Sequence, residues 1–340
     1  VAEHDLSAGG NVLRRVRGCA EDALAAYGCH PASAVELLTV SENATFLVTD
    51  PDAGPSILRV HRLGYHTETA IDSELAWMDA LRAEAGVRTP RVLPARDGRR
   101  VVPVPERGGP GPAERHCVRF EFLPGAEPAG ADGAPASAAH FTELGEITAR
   151  MHRHARAWAP PAWFTRFAWD ADAAFGDNPR WGRWLDGVGV GSAEREILGR
   201  LEAAIKQRLA AFGAGPERYG LVHADTRLAN LLVHEGAVAV IDFDDAGFGW
   251  YLYDLGTAVS FFEHDPAVPS LVEAWLAGYR QAAALPAEDE AELWTFILFR
   301  RLLLVAWIGS HRAAPDAAAL GAPYTAASCD LADWYLSRKG

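Results

Sequence analysis

Residues 221–243 read LVHADTRLANLLVHEGAVAVIDF, and no other stretch restricts the fold of this 340-residue chain as tightly. Two apolar runs of strand-like composition flank a polar knot that holds His223, Asp225 and Asn230, and the second run ends on Asp242. His234, Glu235 and Gly236 separate the runs, which is the pattern of a β-hairpin. Asp and Asn are ordinary turn and cap residues, and Asp225 could cap a helix. Three such residues in one loop-and-hairpin unit point instead to oxygen atoms gathered for chemistry.

The spacing says which chemistry. In HADTRLAN an Asp follows the His by two positions and an Asn follows that Asp by five, as in the protein-kinase loop H-x-D-x-x-x-x-N. Phosphoryl transfer to a hydroxyl needs a carboxylate that orients the hydroxyl and accepts its proton. It also needs oxygen ligands for a hard divalent cation that holds the phosphate oxygens. An Asp and an Asn on one tight loop serve both needs, and Asp242 reaches the metal from the hairpin.

Downstream, IDFDDAGFGWYLYDL puts Asp254 at the start of a helix, and upstream LGEITARMH reads as the helix before the loop. With these segments the chain resembles the aminoglycoside phosphotransferase and choline kinase family, from about Val35 to Tyr279. It is similar also to the family's homoserine-kinase-like and stress-response-kinase-like branches. Ala224 stands where the family's HGDxxxxN loop has glycine. The resemblance implies a bilobal, protein-kinase-like α+β fold: an antiparallel five-stranded N-lobe with one helix over residues 1–122, and a mainly helical C-lobe over 123–340. It implies Asp225 as catalytic base, Asn230 and Asp242 as Mg²⁺ ligands, His223 bracing the loop, and Asp254 holding it. ATP or GTP is the implied co-substrate.

The pattern along the chain agrees with that layout. Asn11 caps a helix that stops at Gly28. Three strand-like runs follow up to SILRVHR, then a helix with Ile71, Leu75, Met78 and Leu81 on one face, then RRVVPVP and HCVRFEFLPG as two further strands. Beyond an Ala/Gly/Pro-rich loop the chain is helical, with a core helix over Leu293–Ile308. Arg300 and Arg301 break this apolar run, which argues against a bilayer span.

Kinase-like sites carry a strand-three lysine paired with a helix glutamate. Here Lys206 and Lys339 are the only lysines, and Arg59 of SILRVHR takes the matching position, with Glu74 as partner and Glu68 or Asp72 as alternatives. Arginine keeps the charge and can chelate phosphate in a bidentate way, so Arg59 reads as a working replacement ahead of an ordinary surface arginine or a sign of lost catalysis. There is no GxGxxG; Ser41, Glu42 and Asn43 of the first hairpin form either a phosphate cover or a plain turn. The nucleotide base is expected beside Glu121–Leu123, bonded to backbone.

Segment 158–187 interleaves Trp158, Trp163, Trp169, Trp181 and Trp184 with Asp170, Asp172, Asp177 and Asp186. Aromatic faces and carboxylates suit a cationic or sugar-like acceptor, which makes Asp170, Trp181, Trp184 and, further on, His264 candidates for substrate contact. For any one of these residues the stronger reading is structural, with Trp packed between helices and Asp solvated or capping a helix. A net charge of −13 without basic runs argues against nucleic-acid binding and favours cationic partners, though acidity also serves solubility alone. Four scattered cysteines without zinc spacing fit a reducing compartment, and no leader pattern is evident, so a cytoplasmic protein without membrane contact is expected. The expected function is transfer of a γ-phosphate to the hydroxyl of a small molecule, foremost an antibiotic. The alternatives are a Ser/Thr protein kinase, a homoserine- or choline-type metabolic kinase, and a non-catalytic nucleotide-binding module.

Overall fold

The computed structural model describes residues 9–40, 43–109, 111–128 and 137–339. The chain forms two compact units. The first comprises Val1–Ala80, Thr89–Pro124 and Pro160–Thr165, and the second Leu81–Arg88, Gly125–Ala159 and Arg166–Gly340. The first-unit segment that carries the last strand of its sheet ends at Pro124. The two short exchanges are features that one cut along the sequence cannot represent.

In the first unit, β1 (Ala34–Val40), β2 (Ala44–Asp50), β3 (Gly54–Val60), β4 (Val101–Glu106) and β5 (Ala113–Glu121) form a five-stranded sheet in the order β1-β2-β3-β5-β4. Every neighbouring pair is antiparallel. Pro103 and Pro105 lack an N–H for a ladder, so β4 can only be an edge strand, which is where it sits. The β2–β3 turn closes on the Asp50 carboxylate, which accepts from the amides of Asp52 (2.9 Å) and Ala53 (3.0 Å).

Two helices belong to this part of the chain. Helix α1 (Gly9–Ala26) buries Val12, Val16, Cys19, Ala20 and Ala23 among Phe46, Val48, Leu58 and Val104 of the sheet. Full burial of a large apolar side chain contributes roughly 1.5–3 kcal/mol. The helix begins before Asn11, so Asn11 is not its cap; its Oδ1 accepts from Arg14 Nη1 at 3.3 Å instead. Gly28 ends it at φ 72°, as expected. Helix α2 (Glu68–Glu84) buries Ile71, Leu75 and Met78 and carries Glu74.

The second unit is built on helices α3 (Ala138–Ala157), α4 (Ala171–Phe175), α5 (Ser192–Phe212), α6 (Tyr253–Ala258), α7 (Val268–Ala282), α8 (Ala287–Glu290), α9 (Leu293–Ser310) and α10 (Pro315–Lys339), the last kinked at Gly321. Strands β6 (Ala168–Trp169), β10 (Gly247–Trp250) and β7 (Tyr219–Val222) form a small sheet, and β8 (Leu231–His234) and β9 (Ala237–Val240) the anticipated hairpin. Helices α3 and α7 touch backbone to backbone: a Cβ on Gly278 would lie 1.7 Å from Thr142 O, and one on Gly145 2.0 Å from Trp275 O. The stretch Ala287–Ser310 is long and apolar enough to cross a membrane, but 78% of its apolar window is buried in the protein. It is the core helix that the sequence suggested.

Candidate active site

Strand β7 ends at Val222 and delivers His223, Ala224 and Asp225 into a loop that closes with one 3-10 turn, Leu228–Asn230, before β8. Ala224 turns the chain at φ 65°, in the left-handed region. Asp254, in the first turn of α6, holds this bend. Its carboxylate accepts from Ala224 N (2.7 Å), His223 N (3.2 Å) and His152 Nε2 (2.9 Å). Tyr279 OH donates to His152 Nδ1 at 3.1 Å, so helices α3 and α7 both brace Asp254. Burial drives the His152 pKa below the usual histidine value against the pull of Asp254, which agrees with a neutral ring donating through Nε2. Thr226 Oγ1 donates to Asp254 O at 2.6 Å, and Thr226 N to Thr257 Oγ1 at 2.9 Å.

His223 ties the loop to the hairpin. Its Nδ1 accepts from Asp225 N (3.2 Å), so the proton is on Nε2, which donates to Ile241 O (3.1 Å). Ile241 N donates to Asn230 O at 2.9 Å. Asp242 follows directly, exposed and at φ 60°.

Asp225 is 8% exposed and densely bonded. Asn230 Nδ2 donates to Asp225 O (2.8 Å) and Oδ2 (2.7 Å). Arg227 Nε reaches both carboxylate oxygens at 3.1 Å, and Arg300 Nη2 reaches Oδ1 at 3.0 Å. Burial raises the carboxyl pKa, but the Arg227 and Arg300 guanidinium groups outweigh it and hold Asp225 below its usual value. Arg300 is 2% exposed. It also donates to Ser260 Oγ (3.1 Å) and Tyr253 OH (3.0 Å), and its guanidinium lies 4.7 Å from the Trp181 ring centre.

In the first unit, Arg59 Nη2 donates to Glu74 Oε1 at 2.5 Å, with both side chains buried and the guanidinium 5.3 Å from the Phe120 ring centre. Of the alternative partners, Asp72 pairs with Arg100 instead (2.8 Å). Asn43 Oδ1 accepts from Arg62 N at 3.0 Å, which ties the first hairpin to the end of β3; Ser41 lies outside the described residues. Glu121 is bonded to Arg91 through its amide and through Oε1, each at 2.9 Å, and Leu123 follows beyond the end of β5.

The acceptor candidates separate. Asp170 caps α4, accepting from Ala173 N at 2.8 Å. Trp184 is 5% exposed and donates its indole N–H to Glu202 at 2.6 Å, so it packs α5 rather than facing an opening. His264 sits 3.2 Å from Arg301 Nη1, and Arg301 pairs with the fully buried Glu263 at 2.5 Å. Burial, then Arg301, lowers the His264 pKa. Only Trp181 adjoins the groups around Asp225. Sequence reasoning missed Arg227, Arg300 and His152. Two arginines inside an apolar helix are a usable signal, because a buried guanidinium needs a carboxylate or carbonyl partner.

This fold and this loop define a phosphotransferase with a hydroxyl as acceptor. Residues 35–294 match the model of the phosphotransferase enzyme family known as APH, and the chain belongs to that family. It is 31% identical over 277 residues to a protein of Deinococcus radiodurans, covering 79% of this chain and 75% of that one. It is 26% identical over 253 residues to amicoumacin kinase of Bacillus subtilis, covering 73% and 68%. Among solved structures, a microcompartment-associated aminopropanol kinase is 49% identical with a TM-score of 0.87, covering 95% of this chain and 98% of that one. The protein is a small-molecule kinase; an amicoumacin kinase of the same fold, 22% identical with a TM-score of 0.75, has been solved in complex with AMP-PNP and Ca²⁺.

Proposed function

We propose that the protein transfers the γ-phosphoryl group of ATP to the hydroxyl of a small amino alcohol of the aminopropanol type. The observation that carries this reading is the 49% identity with an aminopropanol kinase over 95% of the chain. The antibiotic acceptor expected from sequence rests on a weaker likeness, the 26% identity with amicoumacin kinase, and is the second reading.

Asp225 receives the acceptor hydroxyl. As the alcohol oxygen bonds to the γ-phosphorus, the bond from that phosphorus to the β–γ bridging oxygen breaks, ADP leaves, and Asp225 takes the hydroxyl proton and passes it to solvent. Asn230 and Asp242 suit a hard divalent cation such as Mg²⁺. Asn230 uses its amide nitrogen on Asp225, which leaves the amide oxygen, and the exposed Asp242 adds a carboxylate. When bound, the cation supplies charge that neutralises the phosphate oxygens. Arg59, held by Glu74, serves as the phosphate-gripping cation in place of lysine. The negative net charge of −13 favours approach of an ammonium group, while Trp181, only 4% exposed, already has the Arg300 guanidinium over its ring. Free thiols at Cys19, Cys29, Cys117 and Cys329 fit a reducing cell interior.

The test is a coupled assay with ATP and GTP in parallel against 1-amino-2-propanol, ethanolamine, choline, homoserine, amicoumacin and aminoglycosides. The highest kcat/KM is expected with ATP and 1-amino-2-propanol. A higher value with amicoumacin or an aminoglycoside overturns the amino-alcohol reading.

A further inference from the structure

Three side-chain N–H groups crowd the Asp225 carboxylate, where the acceptor hydroxyl is to bind. Oδ1 accepts from Arg300 and Arg227, and Oδ2 from Asn230 and Arg227. Three N–H groups make these four contacts on a carboxylate with about four lone-pair sites, so an incoming hydroxyl competes most directly with the N–H that spans both oxygens.

The two arginines differ in what holds them. Arg300 has a side chain only 2% exposed and is fixed along its whole head: Nε on Ser260, Nη1 on Tyr253, Nη2 on Asp225, and a flat face toward Trp181. Arg227 has a side chain 34% exposed, and its one nitrogen straddles both oxygens at equal distance, a three-centre contact in which neither bond is optimal. Beyond Asp225 its guanidinium lies 5.5 Å from the Phe261 ring, and the Asp242 carboxylate also attracts its charge.

We infer that the arginines divide the work: Arg300 is a positioning residue that holds Asp225 Oδ1 throughout, and Arg227 is a displaceable cover whose place the acceptor hydroxyl takes. This rests on the reading of Asp225 as the group that meets the hydroxyl. Arg300 then sets the direction of the remaining lone pairs. Arg227, once displaced, keeps its charge at the rim of the site and leaves Arg300 undisturbed.

The experiment measures kcat, both KM values and thermal midpoints for Arg300→Gln, Arg300→Lys and Arg227→Gln, with ATP and 1-amino-2-propanol. Arg300→Gln is expected to lower kcat by about tenfold or more while nucleotide KM stays within about threefold, with Arg300→Lys recovering part of the loss. Arg227→Gln is expected to lower acceptor KM, because the cover no longer competes. Wild-type kcat in Arg300→Gln, or a raised acceptor KM in Arg227→Gln, overturns the inference. If Arg300→Gln fails to fold, Tyr253→Phe removes one anchor of Arg300 and is expected to lower kcat in the same direction; an unchanged kcat overturns the inference. If wild type does not phosphorylate 1-amino-2-propanol, the proposed acceptor falls, and the arginines are read from ATP hydrolysis without acceptor. There Arg300→Gln is expected to be slower and Arg227→Gln faster than wild type, and the reverse order overturns the inference.

Discussion

At Ala224 the backbone sits at φ 65°, where a residue with a Cβ is strained by roughly 1–2 kcal/mol and glycine is not. The glycine of the family's loop thus has a physical reason here, and the bond from Ala224 N to Asp254 helps offset the strain of keeping alanine. The neighbouring Asp225 is the group that the proposed mechanism sets against the acceptor hydroxyl. Asp225→Asn is expected to reduce kcat by roughly 10²–10⁴-fold with nucleotide affinity retained, as read by steady-state rates beside nucleotide titration. A mutant with wild-type turnover removes Asp225 from the mechanism. For Arg59, replacement by Lys is expected to keep nucleotide KM within several-fold, and by Ala to raise it about tenfold or more. Since Arg59→Ala leaves the buried Glu74 unpaired, its melting temperature must be measured alongside.

The α3–α7 pair is the element-scale foundation of the loop, because His152 of α3 and Tyr279 beside Gly278 of α7 support Asp254. Gly278→Ala puts a methyl group into the Thr142 carbonyl, and overpacking of this kind costs about 1–3 kcal/mol or more. A lowered urea midpoint together with reduced kcat is the expected result; a change in neither shows that the helices separate freely. The same pair carries a pH dependence. The His152 pKa is depressed in the folded protein, so the unfolded chain takes up its proton first, near the ordinary value of about 6.5. The contribution is therefore complete above about pH 6.5 and is lost as the pH falls below it toward the folded value. Urea midpoints measured from pH 7 to 5 are expected to fall in wild type and to fall less steeply in His152→Gln.

For the whole molecule the governing quantity is charge. A surface at −13 would attract the amino-alcohol acceptor proposed above, and salt screens such attraction over a Debye length of about 8–10 Å. Acceptor KM is expected to rise as NaCl increases from low to physiological ionic strength, whereas an uncharged acceptor would show a flat profile.

What the sequence determined by itself was local. Alternating β-branched runs and turn residues specify the strands, Pro103 and Pro105 restrict β4 to an edge, and the five-residue step from Asp225 to Asn230 lies within one loop. Such features need only neighbours along the chain. The Arg59–Glu74 contact was also within reach, since a strand and the next helix are joined by a short connection. Only the tertiary structure decided the rest. Arg300 meets Asp225 across 75 positions, and His152 meets Asp254 across 102. Which of the interleaved tryptophans adjoin the site and which pack helices likewise depended on how helices cross. No spacing rule spans such distances; the partners are selected by packing, because a charge or imidazole buried in a helical core is stable only where the fold brings it a complementary group.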